Sequence, residues 1–139
     1  DLPPEAFWDP REALDRWRLS EVDGQRKFVH ALSYKWLSRD HPDPQGYHLR
    51  IFARILKLAM ERQKAQSDHD DIAVFWDYLS LPQQASTDGE RELFSAGMAA
   101  SAWLCAHCDS CVWQQREVPA GYTGPGYERS GWCYSEAIL

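Results

Sequence analysis

Four residues near the carboxyl end, Ser130, Trp132, Cys133 and Glu136, form an S-x-W-C-x-x-E run whose side chains suit one chemistry. Ser130 is a helix N-cap by type, because its hydroxyl can take an orphan backbone N–H. Glu136 then falls between one and two turns into that helix. Helical side chains tilt back toward the N-terminus, so its carboxylate leans toward the preceding loop. A carboxylate beside a Trp face can hold a ribose and stabilise positive charge developing on it. The same spacing also fits a solvated helix residue.

Cys105-x-x-Cys108-x-x-Cys111, with His107 nearby and Cys133 remote, has the flavour of a zinc or iron–sulfur site. Such sites need ligands that converge on one point, and three close Cys plus a distant one lack the usual paired knuckles. They read as thiols, and no metal or cofactor is expected. His41-Pro42-Asp43, His48 and Asp68-His69-Asp70-Asp71 set imidazoles among acids, which reads as hydrated turns. Cys133 at a helix start would be an activated thiol, but no His lies near it in sequence to act as its base. No phosphate-cradling glycine motif is present.

The chain has 139 residues, 44% of them hydrophobic, which suffices for one domain with a core. Seven Trp exceed what a core of this size needs, so some are expected at a groove or an interface. A net charge of -6 argues against a nucleic-acid partner. No apolar run is long enough to span a bilayer and no signal-peptide pattern opens the chain, so no membrane partner is expected. Four Cys without a secretory signal indicate reduced thiols and a cytoplasmic location. The missing initiator Met suggests a processed or excised piece of something longer.

Residues 1–25 read as an arm with a short helix starting at Asp9-Pro10 and running through Leu19, with Ala13, Leu14 and Trp17 on one face. Residues 26–139 read as the α/β domain. Residues 27–36 make a buried strand, residues 41–46 a loop with two prolines, and residues 47–66 a helix. Leu49, Phe52, Leu56, Ala59 and Met60 form that helix's apolar stripe, and Arg50, Arg54, Lys57, Glu61 and Lys64 its charged one. Residues 72–79 are the clearest strand, rich in β-branched and aromatic side chains. Thr87-Asp88-Gly89-Glu90 is a capping box, and the helix after it should turn Leu93, Ala96, Gly97, Ala100 and Leu104 inward. Residues 109–115 make a third strand, and a Gly/Pro loop leads to the terminal helix. Alternating strands and helices imply a parallel sheet, whose ligands bind outside the carboxyl ends of the strands. That edge would hold residues 33–36, Asp77 and Tyr78, the loop after Gln115, and the start of the last helix.

These landmarks, in their order, resemble the Toll/interleukin-receptor (TIR) domain superfamily, including its heterokaryon-incompatibility (HET) branch. HALSYKWL at 30–37 is similar to the first strand and its exit, and VFWDYLSLPQ at 74–83 to the second, with Asp77 in the usual acidic place. TDGER followed by Met98 resembles the helix signature of the HET branch, and YERSGWCYSEAIL at 127–139 the S-x-W-C-x-x-E-L segment. The resemblance implies a flavodoxin-like three-layer sandwich with a parallel sheet, here cut short after the third βα unit. It implies NAD as substrate, cleaved at the nicotinamide–ribose bond in immune or cell-death signalling, or else a non-catalytic assembly module. It makes Glu136 the catalytic carboxylate and Trp132 a wall of the nicotinamide pocket. Ser33, Tyr34, Lys35, Trp36, Asp77, Ser130 and Cys133 would line the substrate site. The expected partners are further copies of the chain or other TIR-like domains. In place of the Gly-rich switch after the second strand this chain has SLPQQASTDG.

Overall fold

The computed structural model describes residues 3, 6–22, 29–64, 72–107, 110–131 and 133. It is mixed α/β, with elements in the order α1 (Pro10–Val22), β1 (Val29–Tyr34), α2 (Tyr47–Lys64), β2 (Ala73–Phe75), α3 (Asp77–Ser80), α4 (Asp88–Ala106) and β3 (Ser110–Gln115). The three strands form one sheet in the order β2-β1-β3. β1 and β2 are parallel, with Val29 opposite Ala73 and Ala31 opposite Phe75. The chain divides into two compact units, Asp1–Leu32 with Ala73–Trp113, and Ser33–Ile72 with Gln114–Ile138.

In the first unit, Asp9 caps α1: its carboxylate accepts from the N–H of Arg11 at 2.8 Å and of Glu12 at 3.3 Å. Pro10 follows at the first helical position, where its missing N–H costs nothing. Trp17 turns toward α4 and meets the His107 ring edge-on at 5.2 Å. Leu14, expected on the same face, is instead exposed. β2 is shorter than the apolar run suggested. After Phe75 the chain leaves the extended form because Trp76 N–H donates to Ser80 Oγ and the N–H groups of Leu79 and Ser80 turn back to Trp76 O. A hydroxyl offering a local partner competes with the ladder, and here it wins.

α4 starts at the expected box. Thr87 Oγ1 accepts from Glu90 N–H at 3.2 Å, and the Glu90 carboxylate accepts from Thr87 N–H at 3.0 Å. That bond, followed by those from the Ser86 hydroxyl and N–H, holds the Glu90 pKa down at about 2. Thr87→Ala is expected to lower unfolding free energy by about 1 kcal/mol, the usual cost of losing a hydroxyl cap. A urea transition that does not move would show that the box is ornamental.

The face of α4 turned inward agrees with the expected one at Gly97 and Leu104 and departs from it elsewhere. Leu93 is 61% exposed and Ala96 and Ala100 are exposed too, while Phe94, Gly97, Met98, Leu104 and Cys105 are half-buried and Ser101 is buried. The phase is set by Gly97, where a Cβ would overlap the Leu81 side chain, so the helix presses its bare backbone on the loop after α3. Ser101 and Ser110 can sit buried because each hydroxyl has a carbonyl: Ser101 donates to Met98 O, and Ser110 to Leu104 O and His107 O.

In the second unit, α2 packs Phe52 at its centre, with Tyr34 edge-on at 6.0 Å and 85°. Leu49, expected beside Phe52 in the apolar stripe, is 52% exposed. His48 takes the buried position instead.

Candidate functional site

The exit of β1 organises the second unit. Ser33 and Tyr34 are buried at the end of the strand, and Lys35 and Trp36 follow half-buried. Three segments distant in sequence tie to these residues. Ser33 Oγ lies 2.5 Å from Tyr127 Oη, a hydroxyl pair buried on both sides. The Cys133 thiol donates to Tyr34 O at 3.2 Å. His48 Nε2 lies 2.9 Å from Lys35 O.

Each contact has a local cause. Tyr127 opens a 3-10 turn, Tyr127–Arg129, which swings its ring toward Ser33; the Gly/Pro loop gave no hint of this turn. Ser130 follows with φ -91 and ψ 121, the extended conformation an N-cap takes, and Gly131 and Cys133 are helical. Cys133 is 1% exposed, so its thiol is spent on a strand carbonyl rather than presented as a nucleophile.

His48 and Asp43 depart from the reading as hydrated turns. Asp43 is buried, and its carboxylate accepts from Tyr47 N–H at 2.6 Å and Leu49 N–H at 2.8 Å. It caps α2 from below, in a helix with no acid in its own first turn. The chain reaches this geometry through Gly46 at φ +66, a conformation that an L side chain resists. His48 is fully buried between Tyr34, Tyr47 and Phe52. A carbonyl only accepts, so Nε2 carries the proton, and Nδ1 has no hydrogen-bond partner among the described residues.

Desolvation therefore holds the His48 pKa below its ordinary 6.5, opposed in part by the Lys35 carbonyl and the Asp43 carboxylate. Between the lowered value and 6.5 the unfolded chain takes up a proton that the folded chain refuses. Stability from this group is thus fully present above 6.5 and is lost as pH falls through 6.5 toward the folded value. The acid-side loss of stability is expected to be shallower in His48→Gln than in the native chain. Parallel pH profiles of the urea midpoint would refute a neutral buried His48.

Of the residues expected to line a site, the described geometry brings together Ser33, Tyr34, Lys35 and Cys133. Ser130 is half-buried and directly follows Tyr127's turn. Asp77 belongs to the other unit, where its carboxylate accepts from Tyr78 N–H at 2.7 Å. Trp132 and Glu136 lie outside the described residues. Tyr127 and His48 are the two contributors that sequence reasoning missed; a Tyr just ahead of the S-x-W-C run was the available signal for the first.

The first unit carries an apolar groove of about 330 Å³, lined by Trp17, Phe75, Gly97, Ser101, Trp103 and His107 among others. None of the expected site residues with a described side chain lines it. Cys105 and Cys111 are half-buried in the same unit, Cys108 lies outside the described residues, and no metal-binding cluster occurs among the described ones. No helix among the described residues is long and apolar enough to cross a membrane. No protein-family model, curated protein or solved structure matches this chain.

Proposed function

We propose that this chain is a TIR/HET-like domain of the flavodoxin-like class that binds NAD and cleaves its nicotinamide–ribose bond. The single observation that carries the reading is the pair of ties joining the carboxyl-terminal motif to the exit of β1, Tyr127 to Ser33 and Cys133 to Tyr34. Parallel α/β sheets bind ligands outside the carboxyl ends of their strands, and these ties bring the motif to such an end. The strand order β2-β1-β3 agrees with the first three strands of the flavodoxin-like order.

In this proposal Glu136, three residues beyond the anchored Cys133, supplies the carboxylate. The C–N bond breaks with its electron pair leaving on nicotinamide, whose pyridinium charge is thereby cancelled, so no general acid is required. The ribose is left oxocarbenium-like until water adds at its anomeric carbon and gives up a proton to solvent, and a carboxylate fixed beside it stabilises that charge more in the transition state than in bound NAD. Trp132 stacks on the departing ring, and Lys35 and Trp36 form the rim. NAD is substrate, and no resident cofactor is invoked. The test is to incubate the concentrated protein with NAD and follow nicotinamide release, with Glu136→Ala as control. Equal release by both, or none from either, sinks the enzymatic reading.

A second reading, a non-catalytic assembly module, draws on Trp103, 80% exposed at the rim of the apolar groove. It expects Trp103→Ser to shift a self-association equilibrium, measured by light scattering, without touching nucleotide chemistry.

A further inference from the structure

We infer, against the expectation of no membrane partner, that the outward face of α2 is a docking surface for an anionic phospholipid membrane, a peripheral contact that needs no spanning helix. The inference stands on α2 alone and is independent of the NAD reading. α2 carries Arg50, Arg54, Lys57, Arg62 and Lys64 against the one acid Glu61, in a chain whose net charge is -6. The cations are thus concentrated on a single helix while the remainder of the chain is strongly acidic. Arg54, Lys57 and Arg62 are exposed and make no ion pair with any described residue. Charge complementarity therefore calls for an anionic partner on this face.

The apolar side chains among those cations choose the kind of anion. Leu58 is 65% exposed and sits on the same i, i+4 ridge as Arg54 and Arg62. Ile55, 38% exposed, lies on the neighbouring ridge behind half-buried Ile51. Phe52 and His48 fill the buried side of the helix next to Ile55, while Leu58 stands between exposed Arg54 and Arg62 with most of its surface uncovered. A polyanion such as duplex DNA would satisfy the guanidinium groups but would leave Leu58 against charged phosphates. A bilayer with anionic headgroups satisfies both: the cations stay at the phosphate level and the aliphatic tips enter the acyl boundary beneath it. At 18 residues α2 is about 27 Å long, enough to lie along such a surface while remaining packed on its own unit.

The test uses the full chain, floated with phosphatidylcholine vesicles that contain or lack phosphatidylserine, and in parallel captured on a duplex oligonucleotide. Binding is expected only to the phosphatidylserine vesicles. Lys57→Glu, which changes the charge by two, is expected to weaken it by about 30-fold, and Arg54→Glu combined with Arg62→Glu by several hundredfold, about 900-fold if the two reversals add. Leu58→Ser is expected to weaken it by about tenfold. All four positions are exposed, and far-UV circular dichroism confirms the fold; should the double variant unfold, Lys57→Glu and Leu58→Ser still decide. Vesicle binding that ignores phosphatidylserine, or that survives the charge reversals, overturns the inference. So does capture on the duplex with vesicle binding indifferent to Leu58→Ser, which would make the face a general polyanion reader. Absence of any vesicle binding also overturns it and leaves an acidic protein as the partner this charge would suit.

Discussion

Glu136→Gln is expected, on the NAD cleavage proposed above, to reduce kcat for nicotinamide release by about a hundred- to thousandfold while leaving KM for NAD nearly unchanged. The amide keeps the shape and one hydrogen-bonding oxygen of the carboxylate, so the proposed contacts to the ribose hydroxyls of NAD would persist. What it removes is the negative charge, which matters most when the ribose becomes oxocarbenium-like. Losing one preorganised partner of a developing charge typically costs that much. Losses that fall on kcat rather than on KM mark an interaction realised in the transition state. A Glu136→Gln protein with native turnover would make Glu136 a solvated helix residue, as its spacing alone also permits. A rise in KM with kcat intact would make it a binding group only.

The largest expected effect on stability belongs to Phe52→Ala. The ring is 1% exposed and is met edge-on by Tyr34, with the His48 ring tilted beside it at 6.4 Å. Truncation removes the buried apolar area and leaves a cavity that two aromatic neighbours, held by their own ties, cannot readily fill. Such a change costs about 3–5 kcal/mol, a large part of the roughly 5–15 kcal/mol that holds a typical domain together. Leu49→Ala on the same helix is the informative contrast, because Leu49 is 52% exposed and should lose well under about 1 kcal/mol. Comparable urea midpoints for the two variants would mean that the stripe written in the sequence, rather than the face seen in the structure, describes the core.

The same pair shows what could be read from sequence. A helix over 47–66 followed from its 3.6-residue period, and α2 is Tyr47–Lys64. Yet the period fixes the face only to within about one residue's turn, and the structure rotates it so that His48 goes inside and Leu49 outside. An imidazole is polar enough to be read as a hydrated turn until the Lys35 carbonyl that satisfies it is brought within 2.9 Å. Asp43 behaves alike: a Pro-flanked acid reads as loop, and only the N–H groups of Tyr47 and Leu49 make it a buried cap. In α4 the phase is again decided from outside, by Leu81 against Gly97. For the candidate site, the strand-end rule pointed to Ser33, Tyr34 and Lys35 and the resemblance added Cys133, and the described geometry brings these four together. Tyr127 was not legible, since the Gly/Pro loop before it does not mark the 3-10 turn that carries its ring to Ser33.

By itself the sequence determined what is local: the Thr87–Glu90 box, the Asp9-Pro10 helix start, the run from Val29 to Tyr34 that makes β1. These depend on backbone preferences and on partners within a few positions, which any stretch of chain carries with it. Tertiary structure alone decided which polar groups could afford burial, which side of α2 faces outward with its cations, and which strand carbonyl holds Cys133. A buried polar atom is tolerated only beside its partner, and a helix face is buried only against something that fits it. Both conditions are properties of the packed neighbour, which the residue's own surroundings in sequence do not encode.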